Sequence, residues 1–129
     1  MSKQQYHPSR GDVIHLNFSP AAGQEFALNH FAVVISSLAF NKATGLCIVL
    51  PATTKFHPDK KLYDTQLMVK MPKLKSLNEE GWVYTHQIKT VDYRERNATF
   101  KTKIDDDNLD FLIDIMERVR TFIDPDSVK

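Results

Sequence analysis

Residues 11–54 read GDVIHLNFSPAAGQEFALNHFAVVISSLAFNKATGLCIVLPATT, and their pattern decides the fold. Ile14, Leu16 and Phe18 alternate with Val13, His15 and Asn17, the two-residue period of a half-buried strand. Ser19 to Gly23 is turn chemistry. Phe31 to Ser36 is an apolar, β-branched run, as expected of a strand buried on both faces or nearly so. Asn41-Lys42-Ala43-Thr44-Gly45 turns the chain. Leu46 to Leu50 then reads as a second buried strand, and Pro51 is expected to stop it.

Downstream, Thr53 to Lys60 is polar and reads as an exposed loop. Thr65 to Met71 alternates weakly, Pro72 to Glu80 is a connection, Gly81 to Tyr84 is a short strand, and Arg94 to Thr102 is expected to be a last strand or an approach to the helix. Short strands separated by turn signals point to a small, strongly bent barrel. The period then changes. Leu109, Leu112, Ile113, Met116, Val119 and Ile123 follow helical spacing, Asp105 to Asp107 supply an N-cap and charge suited to the positive end of the dipole, and Pro125 stops the helix. With no internal repeat and no linker, residues 1–129 read as one mainly β domain with a C-terminal helix.

Composition narrows the class. The chain is 42% hydrophobic and 26% charged, ordinary for a globular domain, and no apolar run approaches the ~20 residues of a membrane span. The start MSKQQYHPSR has no apolar core of a secretory signal, and Cys47 is the only cysteine, so a cytoplasmic protein without an internal disulfide is expected. The net charge of +1 hides an asymmetry. Residues 105–126 carry eight acidic and two basic side chains, while residues 1–104 carry fourteen basic and eight acidic ones. Six of the twelve lysines lie between Lys55 and Lys75. A polyanion is drawn to that body and repelled by the C-terminus.

His7, His15, His57 and Asp59 show no metal-ligand spacing, and Asp105 to Asp107 lack the glycine and terminal Glu of a calcium loop. There is no phosphate loop and no Gly-x-Gly-x-x-Gly, so neither metal nor nucleotide cofactor is expected. Arg10-Gly11-Asp12 opens a strand and is not an adhesion signal.

The order of parts resembles the MazF/PemK family of toxin endoribonucleases, within the CcdB/MazF superfamily. Gly11-Asp12, Ser19-Pro20, Gly23-Gln24-Glu25, Phe31 to Ser36, Asn41 to Gly45 and Pro51-Ala52-Thr53 match the N-terminal half. Gly81 to Arg96 matches the family's Gly-x-x-x-x-Asp-Gln-x-Arg/Lys-x-[hydrophobic]-Asp-x-x-x-Arg. The matches run over roughly residues 9–122. The chain also departs from the pattern. His30-Phe31 stands for Arg-Pro, and His86 stands for the Asp of Asp-Gln. Tyr84 stands for an Arg of one branch, and Gln24 for a His of another.

The resemblance implies an SH3-like small barrel of the CcdB/MazF type with a C-terminal helix. It implies a homodimer that takes single-stranded RNA in grooves by the dimer interface and a cognate antitoxin on the same surface. Cleavage there needs no metal: the ribose 2′-OH attacks the adjacent phosphorus, leaving a cyclic phosphate and a 5′-OH. Thr53 would donate to the phosphoryl oxygens, with Thr54 beside it, and Glu25 would be a base or an orienter. His30 and His86 offer two imidazoles, which titrate near neutral pH, in place of the family's charged residues. Gln24, Lys55, Phe56, Tyr84 and Gln87 complete the expected RNA contacts, Phe56 and Tyr84 as stacking platforms. Two readings stay open, a two-histidine ribonuclease and an RNA-binding protein that cleaves weakly or not at all. A gyrase poison like CcdB is disfavoured, because Arg120-Thr121-Phe122-Ile123-Asp124 lacks the Trp-Gly-Ile that such poisoning uses.

Overall fold

The computed structural model describes residues 5–17, 29–53, 67–74 and 81–124, with the side chains of 29 and 30 excepted. The elements in order are β1 (Asp12–Asn17), β2 (Asn29–Val34), α1 (Leu38–Thr44), β3 (Leu46–Thr53), β4 (Met68–Lys70), β5 (Trp82–Tyr84), β6 (Lys89–Asp92) and β7 (Thr99–Lys103). A single 3₁₀ turn (Asp106–Asn108) leads into α2 (Leu109–Ile123). The architecture is therefore mainly β with a C-terminal helix, as the sequence indicates.

All described strand pairs are antiparallel, in the order β4-β5-β3-β2-β1-β7, with β6 also on β3. The expected barrel is not closed: among the described residues the two ends of this path, β4 and β7, do not pair. The face that a closed barrel would line with strands is filled otherwise. Leu112, Ile115 and Val119 of α2 join Met71 and Leu74 over Val13, Val33, Leu50 and Val83 in one core cluster. A second cluster, on the other side of the sheet, holds Ile14, Leu16, Ala32, Val34, Cys47, Val49, Val91 and Tyr93. Gly11 lets the chain pass close under α2. Its φ is +92°, and an added Cβ would lie 3.4 Å from Leu112.

Strand β3 shapes the sheet. One edge pairs with β2, whereas the other pairs first with β6, through Leu46 to Val49, and then with β5, through Ala52 and Thr53. Pro51 does not end β3. The Ile48 carbonyl accepts from the Ile35 N–H, so strand alternation turns Pro51 toward the other edge. There its missing N–H falls where β6 has ended and β5 begins, and no ladder bond is lost.

The segment 41–45 belongs to a helix rather than a bare turn. Ser37 caps α1 by accepting from the Phe40 N–H, and Gly45 closes it in the left-handed conformation with its N–H on the Asn41 carbonyl. Asn41 is fully buried and satisfied. Its side chain donates to the Pro8 carbonyl at 2.7 Å and accepts from the Ser36 hydroxyl, and its own carbonyl accepts from the Tyr93 hydroxyl. Asp12 plays a similar part at the other end of the N-terminal segment, accepting from the Tyr6 hydroxyl and the Ser9 N–H and pairing with Lys103 at 3.2 Å.

Candidate functional site

Thr53, the last residue of β3, is buried and stands opposite Trp82 of β5, which stands opposite Lys70 of β4. Directly opposed residues share a face, so these three form a row across three strands, roughly 10 Å from end to end. Phe31 pairs with Ala52, so the backbone of His30 is level with Thr53 across the other edge of β3. Trp82, Tyr84 and Met68 make a small apolar cluster beside this row.

The turn after β5 is tied down by Thr85. Its hydroxyl and its N–H both donate to the Leu67 carbonyl, at 2.7 and 2.8 Å. β5 ends at Tyr84 and β6 starts at Lys89 opposite Val49, so this turn spans the edge of β3 near Leu50 and Pro51. It lies two to three residues from Thr53, on the order of 10 Å. His86 projects from it as an exposed residue, with its ring centroid 6.2 Å from that of Tyr84. Partial burial of the ring lowers its pKa below the usual 6.5, so the imidazole is neutral at pH 7. The Gln87 amide nitrogen lies 3.5 Å from His86 Nε2, a long and weak contact, and Gln87 Oε1 is buried without a hydrogen-bond partner.

Thr53, Tyr84, His86 and Gln87, and the backbone of His30, thus gather along one stretch of β3. Glu25, Gln24, Thr54, Lys55 and Phe56 lie outside the described residues, as does His57. Tyr84 is only 7% exposed, because it packs with Trp82 and pairs with Met68, so it offers little open ring face to a base. His15 is on the opposite face of the sheet, edge-on to Phe31 at 5.6 Å. Lys70 and Thr85 were not singled out by the sequence. Only cross-strand register brings Lys70 into the row, and Thr85 earns its place through a hydroxyl bond to a residue far away in the chain. Among the described residues no group of three or more His, Cys, Asp or Glu side chains could hold a metal ion, and no helix is long and apolar enough to cross a membrane. Burial pushes the Cys47 thiol up to about 12, which leaves it protonated and unreactive.

Residues 9–122 match the family described as PemK-like, MazF-like toxin of type II toxin-antitoxin system. The chain belongs to this family. Endoribonuclease toxin MazF of Escherichia coli (strain K12) is 31% identical over 107 residues, covering 83% of this chain and 88% of that protein. The crystal structure of MazF (Form-I) from Deinococcus radiodurans superposes with a TM-score of 0.75 at 26% identity, covering 92% of this chain and 98% of that one. The MazE-MazF (Form-III) structure from the same organism gives 0.68 at 25% identity, covering 92% and 97%.

Proposed function

We propose that this PemK/MazF-family chain is an endoribonuclease that cuts single-stranded RNA in the cytoplasm without a metal ion, acts as a homodimer and is neutralised by a cognate antitoxin. The observation that carries this reading is the grouping at the end of β3, where a buried Thr53, the row to Lys70 and a tethered turn presenting a neutral His86 meet along one edge. Relatives named endoribonuclease toxin and crystallised as MazE-MazF complexes support the activity and the antitoxin.

The chemistry is a transesterification. The 2′-oxygen bonds to the adjacent phosphorus as the bond from phosphorus to the 5′-oxygen breaks. His86 takes the 2′-OH proton, His30 returns a proton to the leaving 5′-oxygen, and Thr53 with Thr54 donates to the phosphoryl oxygens as charge grows there. Glu25 orients the attacking group. Gln24, Lys55, Phe56 and Gln87 hold the strand, and Tyr84 walls the site.

Purified protein should cut a single-stranded RNA pool in EDTA to fragments with 5′-OH ends. RNA bound but uncut would leave the binding-protein reading, and cleavage gained on His30→Arg would identify a lapsed ribonuclease.

Two properties follow from the charges. A base with a lowered pKa is competent over more of the acid range, so kcat/KM should rise with pH through a midpoint below 6.5, and His86→Ala should remove that limb. A limb unchanged in the variant would assign it to another group. RNA affinity should fall steeply with salt. Replacing Lys55, Lys60 and Lys61 with Ala should weaken all sequences alike and reduce the slope of log K against log salt by about 2, at roughly 0.7 for each phosphate no longer neutralised. An unchanged slope would place the phosphate path elsewhere.

A further inference from the structure

Strand β7 is irregular in a way that builds a surface. Ile14 stands opposite Phe100 and Val13 opposite Thr102, so Lys101 is an extra residue in β7. In a regular strand Phe100 and Lys103, three residues apart, would lie on opposite faces. The bulge brings both to the face of Asp12 and Ile14. Tyr6 spans them. Its hydroxyl donates to Asp12, which pairs with Lys103, and its ring meets that of Phe100 nearly edge-on, with centroids 6.1 Å apart. Phe100 nonetheless stays 53% exposed, and the Lys103 side chain keeps 53% of its surface in solvent. Lys101 is exposed, and among the described residues β7 pairs only with β1.

We propose that Phe100, propped by Tyr6, is a stacking subsite for an unpaired base of the RNA outside the scissile step, with Lys101 and Lys103 on the phosphates either side of that base. An aromatic face takes any base, and flanking ammonium groups hold the backbone that runs past it. Lys103 can serve a phosphate while bound to Asp12, because an ammonium group has three donors. Residues 94–103 carry four basic side chains and one acidic, so a polyanion is favoured there. A protein partner fits less well, since lysine is depleted from the centres of protein interfaces. Lysine on an edge strand also discourages pairing with another chain, but that role does not account for an exposed ring held in place by a second ring. Register puts the subsite on the same face as Thr53. Phe100, Ile14, Ala32 and Pro51 form one row, and Pro51 is two residues from Thr53. Three strand spacings and two residues set Phe100 within roughly 16 Å of Thr53 along the sheet, beyond the nucleotides at the cut.

This inference rests on the RNA reading above and adds a contact outside its cleavage site. Binding is read by fluorescence anisotropy in EDTA on two single-stranded RNAs, each kept intact by one 2′-deoxyribose at the cut site. The short one holds little more than that site, and the long one adds about ten nucleotides on each side. Phe100→Ala should keep the circular dichroism of the parent and weaken binding of the long RNA roughly tenfold. It should leave the affinity for the short RNA, and kcat/KM on its all-ribose form, unchanged. Phe100→Trp should bind the long RNA at least as tightly as the parent. Phe100→Leu, which keeps apolar bulk without a π face, should bind it as weakly as Ala. Lys101→Ala should reduce the salt slope by about 0.7, for the long RNA alone. A parent that binds neither RNA would overturn the RNA reading and the subsite together. A parent that binds both, with Phe100→Ala unchanged on the long one, would overturn the subsite alone. Equal losses on both RNAs would overturn its place outside the cut. Leu at the affinity of the parent would overturn stacking and mark the ring as a contact for a protein partner.

Discussion

Replacing Thr53 with Ala should lower kcat for RNA cleavage by roughly two to three orders of magnitude, the cost of one donor lost from a developing oxyanion. RNA affinity should change far less, because the hydroxyl meets full charge only as the phosphorane forms. Thr53 is buried at the end of a paired strand, so truncation also removes packing atoms. Thr53→Val separates the two effects, since it keeps the branched shape and removes the oxygen. Val should cleave as poorly as Ala, and Ser should restore most of the rate. Single-turnover cleavage on excess enzyme measures this step. Val at the parental rate would remove Thr53 from the chemistry.

The largest expected effect on stability is at Ile115. It is fully buried at the centre of the cluster that joins α2 to β1, β2, β3 and β5. Ile115→Ala strips away its apolar packing and leaves a cavity that helix and sheet cannot both close. The expected loss is about 3 kcal/mol, within the range for truncating a buried aliphatic side chain. The urea midpoint should fall with little change in slope. A loss below about 1 kcal/mol would mean that the site collapses freely and that α2 is not the second wall of this core.

What can be read from the sequence is what has a local period. β1 and α2 are legible because alternation and 3.6-residue spacing persist over several residues. β6 is not, since Lys89 to Asp92 is polar and short and becomes a strand only by pairing with the distant Leu46 to Val49. α1 is within reach, because Ser37 and Gly45 are cap residues at the right separation, but Phe, Asn and Thr are weak helix formers in a seven-residue helix. Pro51 misleads because its effect depends on which edge its nitrogen faces, which only the ladder fixes. The same limit governs the site. Motif order picks out Thr53, Tyr84, His86 and Gln87, whereas the burial of Tyr84 and the alignment of Lys70 with Trp82 and Thr53 come from register between strands remote in sequence.

Metal-free cleavage by the RNA's own 2′-oxygen is the central claim, and a single-atom change in the substrate tests it most directly. An RNA strand carrying one known cut site should be compared with the same strand bearing 2′-deoxyribose at the nucleotide 5′ to the scissile phosphate, both in EDTA. The all-ribose strand should give a 2′,3′-cyclic phosphate and a 5′-OH. The substituted strand should bind equally well and remain intact. Cleavage of the deoxy-substituted strand at that phosphate, or products that end in a 5′-phosphate, would contradict the account.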